Sequence, residues 1–325
     1  MIWNFQITFL NIMKNIMIKI LKKCLIITCL SIFLFGCSPT DSQQVQNSVP
    51  TPISTSANQN QVDANSPPED SIVNANKVVA LTSLSADIIY RLAPDKLVAI
   101  PGSRLLRQDK RFQDLPKVSE GRTPPNLEKI VALKPDLVIG ANGFHDRTLN
   151  KLKELGIATQ ITEIDSWESL IATTKLLAKS IEANPDSLLK KYDTFLDNIP
   201  TSETRALVLV SNQPVLSPNK DSWTGDLLSK LKIKNITEKI QGKSANRGYI
   251  TLSEEKILQE NPEAILVVDP ANRGVLKEFQ SKSFWKELEA TKNEKVYSFD
   301  YYGLVNPGSI DKIEETCKRI KDIFG

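Results

Sequence analysis

Two stretches of the chain, 127 residues apart, follow one pattern. The first runs Asn126-Leu-Glu-Lys-Ile-Val-Ala-Leu-Lys-Pro-Asp-Leu-Val-Ile139 and the second Ser253-Glu-Glu-Lys-Ile-Leu-Gln-Glu-Asn-Pro-Glu-Ala-Ile-Leu266. Each opens on a residue suited to capping a helix N-terminus, Asn126 or Ser253. Each then has Glu-Lys-Ile, stops near a proline (Pro135 or Pro262) and enters an apolar run that reads as a buried strand. The same helix, proline, acid, strand order in two halves predicts two similar α/β lobes with a cleft between them.

The repeat extends to the start of each lobe. Val78-Val-Ala-Leu-Thr82 followed by Ser83 is mirrored by Ala206-Leu-Val-Leu-Val210 followed by Ser211. Around these, strands over Leu97–Ile100, Ala264–Val268 and Val296–Phe299 alternate with helices over Ala86–Leu92, Leu149–Leu155 and Ile310–Phe324. Such alternation implies parallel sheets. Between the halves, Trp167, Leu170, Ile171, Thr174, Leu177, Ala178 and Ile181 keep helical spacing, and Asn184-Pro185 restarts a helix with proline in its first turn. A helical connector is stiffer than a glycine hinge. The domain limits expected are 77–164 for the first lobe, 165–199 for the connector and 200–325 for the second lobe.

The N-terminus is read separately. Lys19, Lys22 and Lys23 precede an apolar run from Cys24 to Gly36, which has the length of a signal peptide rather than of a membrane span. Met17 offers a second start from which the same lysine-flanked run follows. Residues 38–76 contain no aromatic residue and no Lys or Arg. They bury too little apolar area to offset ordering entropy, so 37–76 is expected to be a flexible tether behind a signal at 1–36.

Charge and composition exclude several functions. The formal charge is +3, but residues 1–36 hold four lysines and no acid, which leaves 37 basic against 38 acidic residues in the rest. That body lacks the basic excess of nucleic-acid binders. Three of the four cysteines lie at or before Cys37, so the globule has one thiol, Cys317, and no internal disulfide framework. One histidine, His145, cannot make a multi-histidine metal cage. There is no Gly-x-Ser-x-Gly elbow, and Gly242-Lys-Ser244 has Thr237 where a phosphate loop needs its first glycine. An enzyme and a resident cofactor are therefore not expected.

Residues 77–325 resemble the substrate-binding proteins of ABC importers for ferric siderophores, haem and vitamin B12, most specifically in Pro125–Ile139 and Leu252–Leu258. Leu34-Phe35-Gly36-Cys37 resembles the lipobox of bacterial lipoproteins, apart from the bulky Phe35. These resemblances imply a class III periplasmic-binding fold, with two lobes joined by one long helix and cargo held between them. They imply an extracytoplasmic monomer, anchored to a membrane by lipid on Cys37, whose partners are a permease and its ATPase. They also imply that Glu128 and Glu255, with Glu254 as a neighbouring candidate, dock onto permease arginines. Equal placement two residues after each cap agrees, although an acid there also stabilises a helix start by about 0.3–1 kcal/mol.

Ligands of parallel α/β lobes bind beyond the C-terminal ends of the strands. The loops there offer Arg104, Arg107, Arg122, Trp223, Arg247, Tyr249, Tyr301 and Tyr302 as cargo contacts. Arginine pairs with carboxylate or catecholate oxygen, and aromatic rings cover apolar faces. On the four arginines the expected cargo is a ferric siderophore, then cobalamin, then haem. His145 is read as a polar loop residue before it is read as a haem ligand. The competing class is a surface protein that holds a ligand without serving a transporter.

Overall fold

A computed structural model describes residues 74–121, 123–199, 202–240, 247–269 and 273–325. The signal segment, the tether, Cys37, Arg122 and Gly242-Lys-Ser244 lie outside the described residues. Among the described residues no helix is long and apolar enough to cross a membrane.

The first lobe holds β1 (Val78–Ala80), β2 (Leu97–Ala99), β3 (Leu137–Ala141) and β4 (Ala158–Thr162) in a parallel sheet of order β2-β1-β3-β4. In the second lobe β5 (Arg205–Leu209), β8 (Lys234–Asn235), β10 (Ala264–Val268) and β11 (Val296–Phe299) lie in order β8-β5-β10-β11, again parallel. By position along each lobe, both sheets run second, first, third, fourth. The strand that closes each sequence repeat, β3 or β10, pairs with the strand that opens its lobe, β1 or β5. The second lobe adds an antiparallel ribbon of β6 (Ser211–Asn212), β7 (Val215–Pro218) and β9 (Tyr249–Thr251).

The main helices are α1 (Ser83–Leu92), α2 (Leu127–Ala132), α3 (Asp146–Glu154), α4 (Trp167–Ser180), α5 (Asp186–Phe195), α6 (Trp223–Lys230), α7 (Glu254–Glu260) and α8 (Ile310–Phe324). The two repeat helices start as expected: the Asn126 side chain accepts from Lys129 N–H at 2.9 Å, and the Ser253 hydroxyl accepts from Lys256 N–H at 3.2 Å.

Strand alternation explains the core. Successive side chains point to opposite faces, and a sheet covered on both faces needs both sets apolar. Val78 and Ala80 of β1, Ala206 and Val208 of β5, and Ala264, Leu266 and Val268 of β10 enter one core that runs through both lobes. Val79 and Val138 face a separate core in the first lobe. Leu207, Leu209, Ile265 and Val267 do so in the second. The shared core includes Trp167, Leu170 and Leu177 of the connector, each burial worth roughly 1.5–3 kcal/mol.

The connector contains the one long helix that joins the lobes, as the resemblance implies. The whole connector is α4 followed by α5, with a break over 181–185 where Glu182 takes φ 52°. Pro185 sits just before α5 rather than inside its first turn. Only α4, about 21 Å long at 1.5 Å per residue, runs from lobe to lobe. Its first N–H, at Trp167, donates to Asp226 of α6 at 2.7 Å, and at its far end Ser180 O accepts from Ala75 N–H at 2.8 Å. A second tie joins α1 to α8. Buried Asp87 accepts from Ile310 N–H at 2.7 Å and Arg91 Nε at 3.1 Å, and pairs with Arg111 at 2.9 Å.

Candidate functional site

The C-terminal ends of the parallel strands of both lobes open on one cleft of about 1400 Å³. Lobe one lines it with the segments after β1 (Leu81–Ser85), β3 (Ala141–His145, then Arg147, Thr148 and Lys151) and β4 (Thr162–Asp165). Lobe two lines it with Asp221–Trp223, Arg247, Tyr249 and the turn after β11, Tyr301 and Tyr302 with Val305–Pro307.

Three of the aromatic candidates, Tyr249, Tyr301 and Tyr302, are brought together on the second lobe's wall. Tyr301 and Tyr302 meet edge to face with centroids 5.6 Å apart. Burial, and then the neighbouring Tyr301, push the Tyr249 phenol up to about 12, so at neutral pH it is an uncharged hydroxyl. Trp223 is different. It is 3% exposed, stacks on Trp167 at 6.1 Å and donates its indole N–H to Gly303 O at 2.9 Å. It is the packed floor of the cleft, because an indole beside a helix start is drawn into the shared core. Gly303 is required there: its φ is 91°, and a Cβ would run into Thr316 and the Lys312 carbonyl.

The arginines divide. Arg247 reaches across the cleft from the second lobe to Glu163 at 3.2 Å and Asp165 at 3.8 Å. Arg104 pairs with Asp300 of the opposite lobe at 3.3 Å, and Arg107 with Glu120. Neither Arg104 nor Arg107 is among the residues that line the cleft. Their short helix (Arg104–Arg107) follows β2, and acids engage both side chains, one from the opposite lobe and one from nearby in the chain.

His145 lines the cleft but is occupied. Its Nδ1 accepts from Ala141 N–H at 3.0 Å, and burial lowers its pKa against the pull of Asp146. The neutral ring then carries its proton on Nε2, a donor rather than a metal ligand. Among the described residues no group of three or more His, Cys, Asp or Glu side chains could hold a metal ion.

Glu128 and Glu255 are both exposed, each in the first turn of its repeat helix, and neither lines the cleft. Glu128 makes no ion pair among the described residues, whereas Glu254 is held by Lys282 at 2.7 Å. Backbone N–H at its own position, then the Ser253 hydroxyl, hold the Glu255 carboxyl below its ordinary range.

Arg147 and Lys151 of the first lobe and the acids Glu163 and Asp165 also line the cleft, and no sequence signal singled them out. The strand-end rule led to the loop holding Phe144. Arg147 and Lys151 lie on the polar side of the amphipathic helix that follows, where apolar periodicity gives no signal.

The family model described as "Periplasmic binding protein" matches residues 78–302. The ABC transporter substrate-binding lipoprotein YvrC of Bacillus subtilis is 24% identical over 263 residues, 75% of this chain and 79% of YvrC. A vitamin B12-binding protein of Vibrio cholerae is 24% identical over 259 residues, 76% of this chain and 90% of that protein. Among solved structures, the petrobactin-binding protein YclQ of Bacillus subtilis matches with a TM-score of 0.65 at 20% identity, over 78% of this chain and 93% of YclQ. That likeness is one of fold.

Proposed function

The chain belongs to the periplasmic binding protein family, and we propose that it is the extracytoplasmic component of an ABC importer that captures a corrinoid, cobalamin in the first instance. The carrying observation is the charge of the cleft. Among the described lining residues, Arg147, Lys151 and Arg247 balance Glu163, Asp165 and Asp221. The siderophore expectation rests on Arg104, Arg107, Arg122 and Arg247: the first two are committed to acids outside the lining, Arg247 lines the cleft but is engaged by Glu163 and Asp165, and Arg122 lies outside the described residues. A large cleft whose described lining carries no net charge, with tyrosines on one wall, suits a bulky chelate of near-zero charge. The likeness to a vitamin B12-binding protein supports the same reading.

A ferric siderophore is the second reading, favoured by Arg147 and Lys151, which have no acidic partner among the described residues. Haem comes third, because Tyr249 holds its proton and His145 has its Nδ1 engaged. Intrinsic fluorescence titration against cyanocobalamin, a ferric catecholate, a ferric hydroxamate and haemin separates the three. We expect the tightest binding for cyanocobalamin; tighter binding of a ferric siderophore would replace it.

In the same proposal the protein is a monomer without a resident cofactor, Cys37 carries the lipid anchor, and Glu128 and Glu255 meet the permease, which works with its ATPase. Cys37→Ala should release the protein from membranes or leave it unprocessed. Normal mass and membrane retention in that variant would remove the anchor from the proposal.

A further inference from the structure

We infer that one face of α3 and the loop leading into it form the subsite that orients the cargo. Arg147 and Lys151 receive an anionic group, and Phe144 covers an apolar ring surface beside it. The inference rests on the corrinoid reading and deepens it: in cobalamin the anionic group is the phosphodiester of the nucleotide loop.

Phe144, Arg147, Thr148 and Lys151 follow i, i+3, i+4, i+7 spacing, and all four line the cleft. The opposite face of the helix, Leu149 and Leu152, is fully buried in the first lobe's core. Phe144 is 88% exposed, the most exposed of the large apolar side chains among the described residues. An apolar ring held in water at the mouth of a cleft gains from covering a partner there.

The segment is held firmly. Gly143 N–H donates to the Asp146 carboxylate at 3.1 Å, and Ala141 N–H to His145. A Cβ on Gly140 would stand 2.8 Å from the His145 Cβ and 2.9 Å from a Leu149 methyl, so strand and helix meet as closely as glycine permits.

Charge distinguishes this wall from the other. Arg247 is engaged by Glu163 and Asp165, whereas Arg147 and Lys151 make no ion pair among the described residues. Among the described residues the lining is thus neutral in sum and polar in arrangement, with two cations on α3 in the first lobe and tyrosines in the second. A cargo with one anionic edge and a broad ring face enters in one orientation, anionic edge toward α3.

The test uses the full chain in detergent and two corrinoids, cyanocobalamin and dicyanocobinamide, which lacks the nucleotide loop and its phosphodiester. The readout is the ratio of their affinities. In the double variant Arg147→Gln, Lys151→Gln that ratio should fall about tenfold or more, since charge-assisted hydrogen bonds are lost for one ligand only. Arg147→Lys, which keeps the charge, should preserve most of the ratio. Added salt should lower the wild-type ratio as well. Thermal melting matched to wild type shows that the variants are folded. A ratio unchanged in the double variant overturns the subsite and leaves the corrinoid reading standing. Failure of the wild type to bind either corrinoid overturns the cargo reading and the subsite with it.

Discussion

The first lobe meets the cleft with a cationic helix face, Phe144, Arg147 and Lys151 on α3; the second meets it with tyrosines and an arginine already engaged by acids. Yet the two sheets have one strand order and the repeat helices one capping geometry. The difference lies in what was added at the strand ends. In the second lobe the antiparallel ribbon β6-β7-β9 carries Tyr249, and the turn after β11 carries Tyr301 and Tyr302. The shared frame fixes where a cleft must be, and the loops on it decide what the cleft accepts.

The largest expected effect breaks the tie between the lobes. Asp87→Ala leaves Arg91, Arg111 and the Ile310 N–H without their buried carboxylate. Removing one partner of a buried ion pair costs about 3–5 kcal/mol. Chemical denaturation should show that loss, and a change below 1 kcal/mol would mean the two lobes do not depend on this contact. Smaller is Trp223→Phe, which keeps most of the ring and leaves Gly303 O without its donor. A buried unsatisfied acceptor costs about 1–3 kcal/mol. If Trp223 instead contacts cargo, this variant should keep its melting temperature and lose affinity.

Smaller again in stability are the matched acids. Glu128→Lys or Glu255→Lys removes a favourable helix-start charge, about 0.3–1 kcal/mol each. Cargo affinity should stay within about threefold, less than 1 kcal/mol of binding energy, since neither residue lines the cleft. If both acids meet a permease as proposed, uptake in reconstituted vesicles should fall, and more in the double variant, because each lobe would present its own contact. Wild-type uptake by the double variant would leave both glutamates as helix-start residues only.

The smallest effect is a pH slope belonging to the first lobe. Burial lowers the His145 pKa below its ordinary 6.5, so folding favours the neutral ring. The stability this contributes is fully present above that value and is lost as pH falls through the lowered one. His145→Gln should flatten the acid limb of the melting temperature, and an unchanged limb would assign it to other groups.

Much of the frame was legible because it is written in apolar periodicity. β10, β11 and α8 begin and end where alternation and helical spacing put them. β4 was not legible: Ala-Thr-Gln-Ile-Thr is an edge strand without an apolar run. The ribbon was missed for the same reason, its strands being two to four residues long. The site was legible as loops and not as partners. Nothing in the spacing of Arg104 or Arg107 announces Asp300 or Glu120, whereas the cations of α3, without an ion pair among the described residues, are hidden on the polar side of an amphipathic helix.

The bridging helix α4, pinned at one end by Asp226 and at the other by Ala75, has a consequence for traffic at the membrane. Lobes held this way should move little when cargo enters, and solution scattering with and without cargo checks that premise. With docking as proposed, an empty carrier would then show the permease the same two glutamates as a full one. Unloaded copies would occupy the landing sites and make loaded ones wait. With scarce cargo, uptake should therefore rise with the number of carriers per permease, pass through a maximum and decline. A monotonic rise in vesicles of graded carrier content would show that the permease distinguishes full from empty before contact.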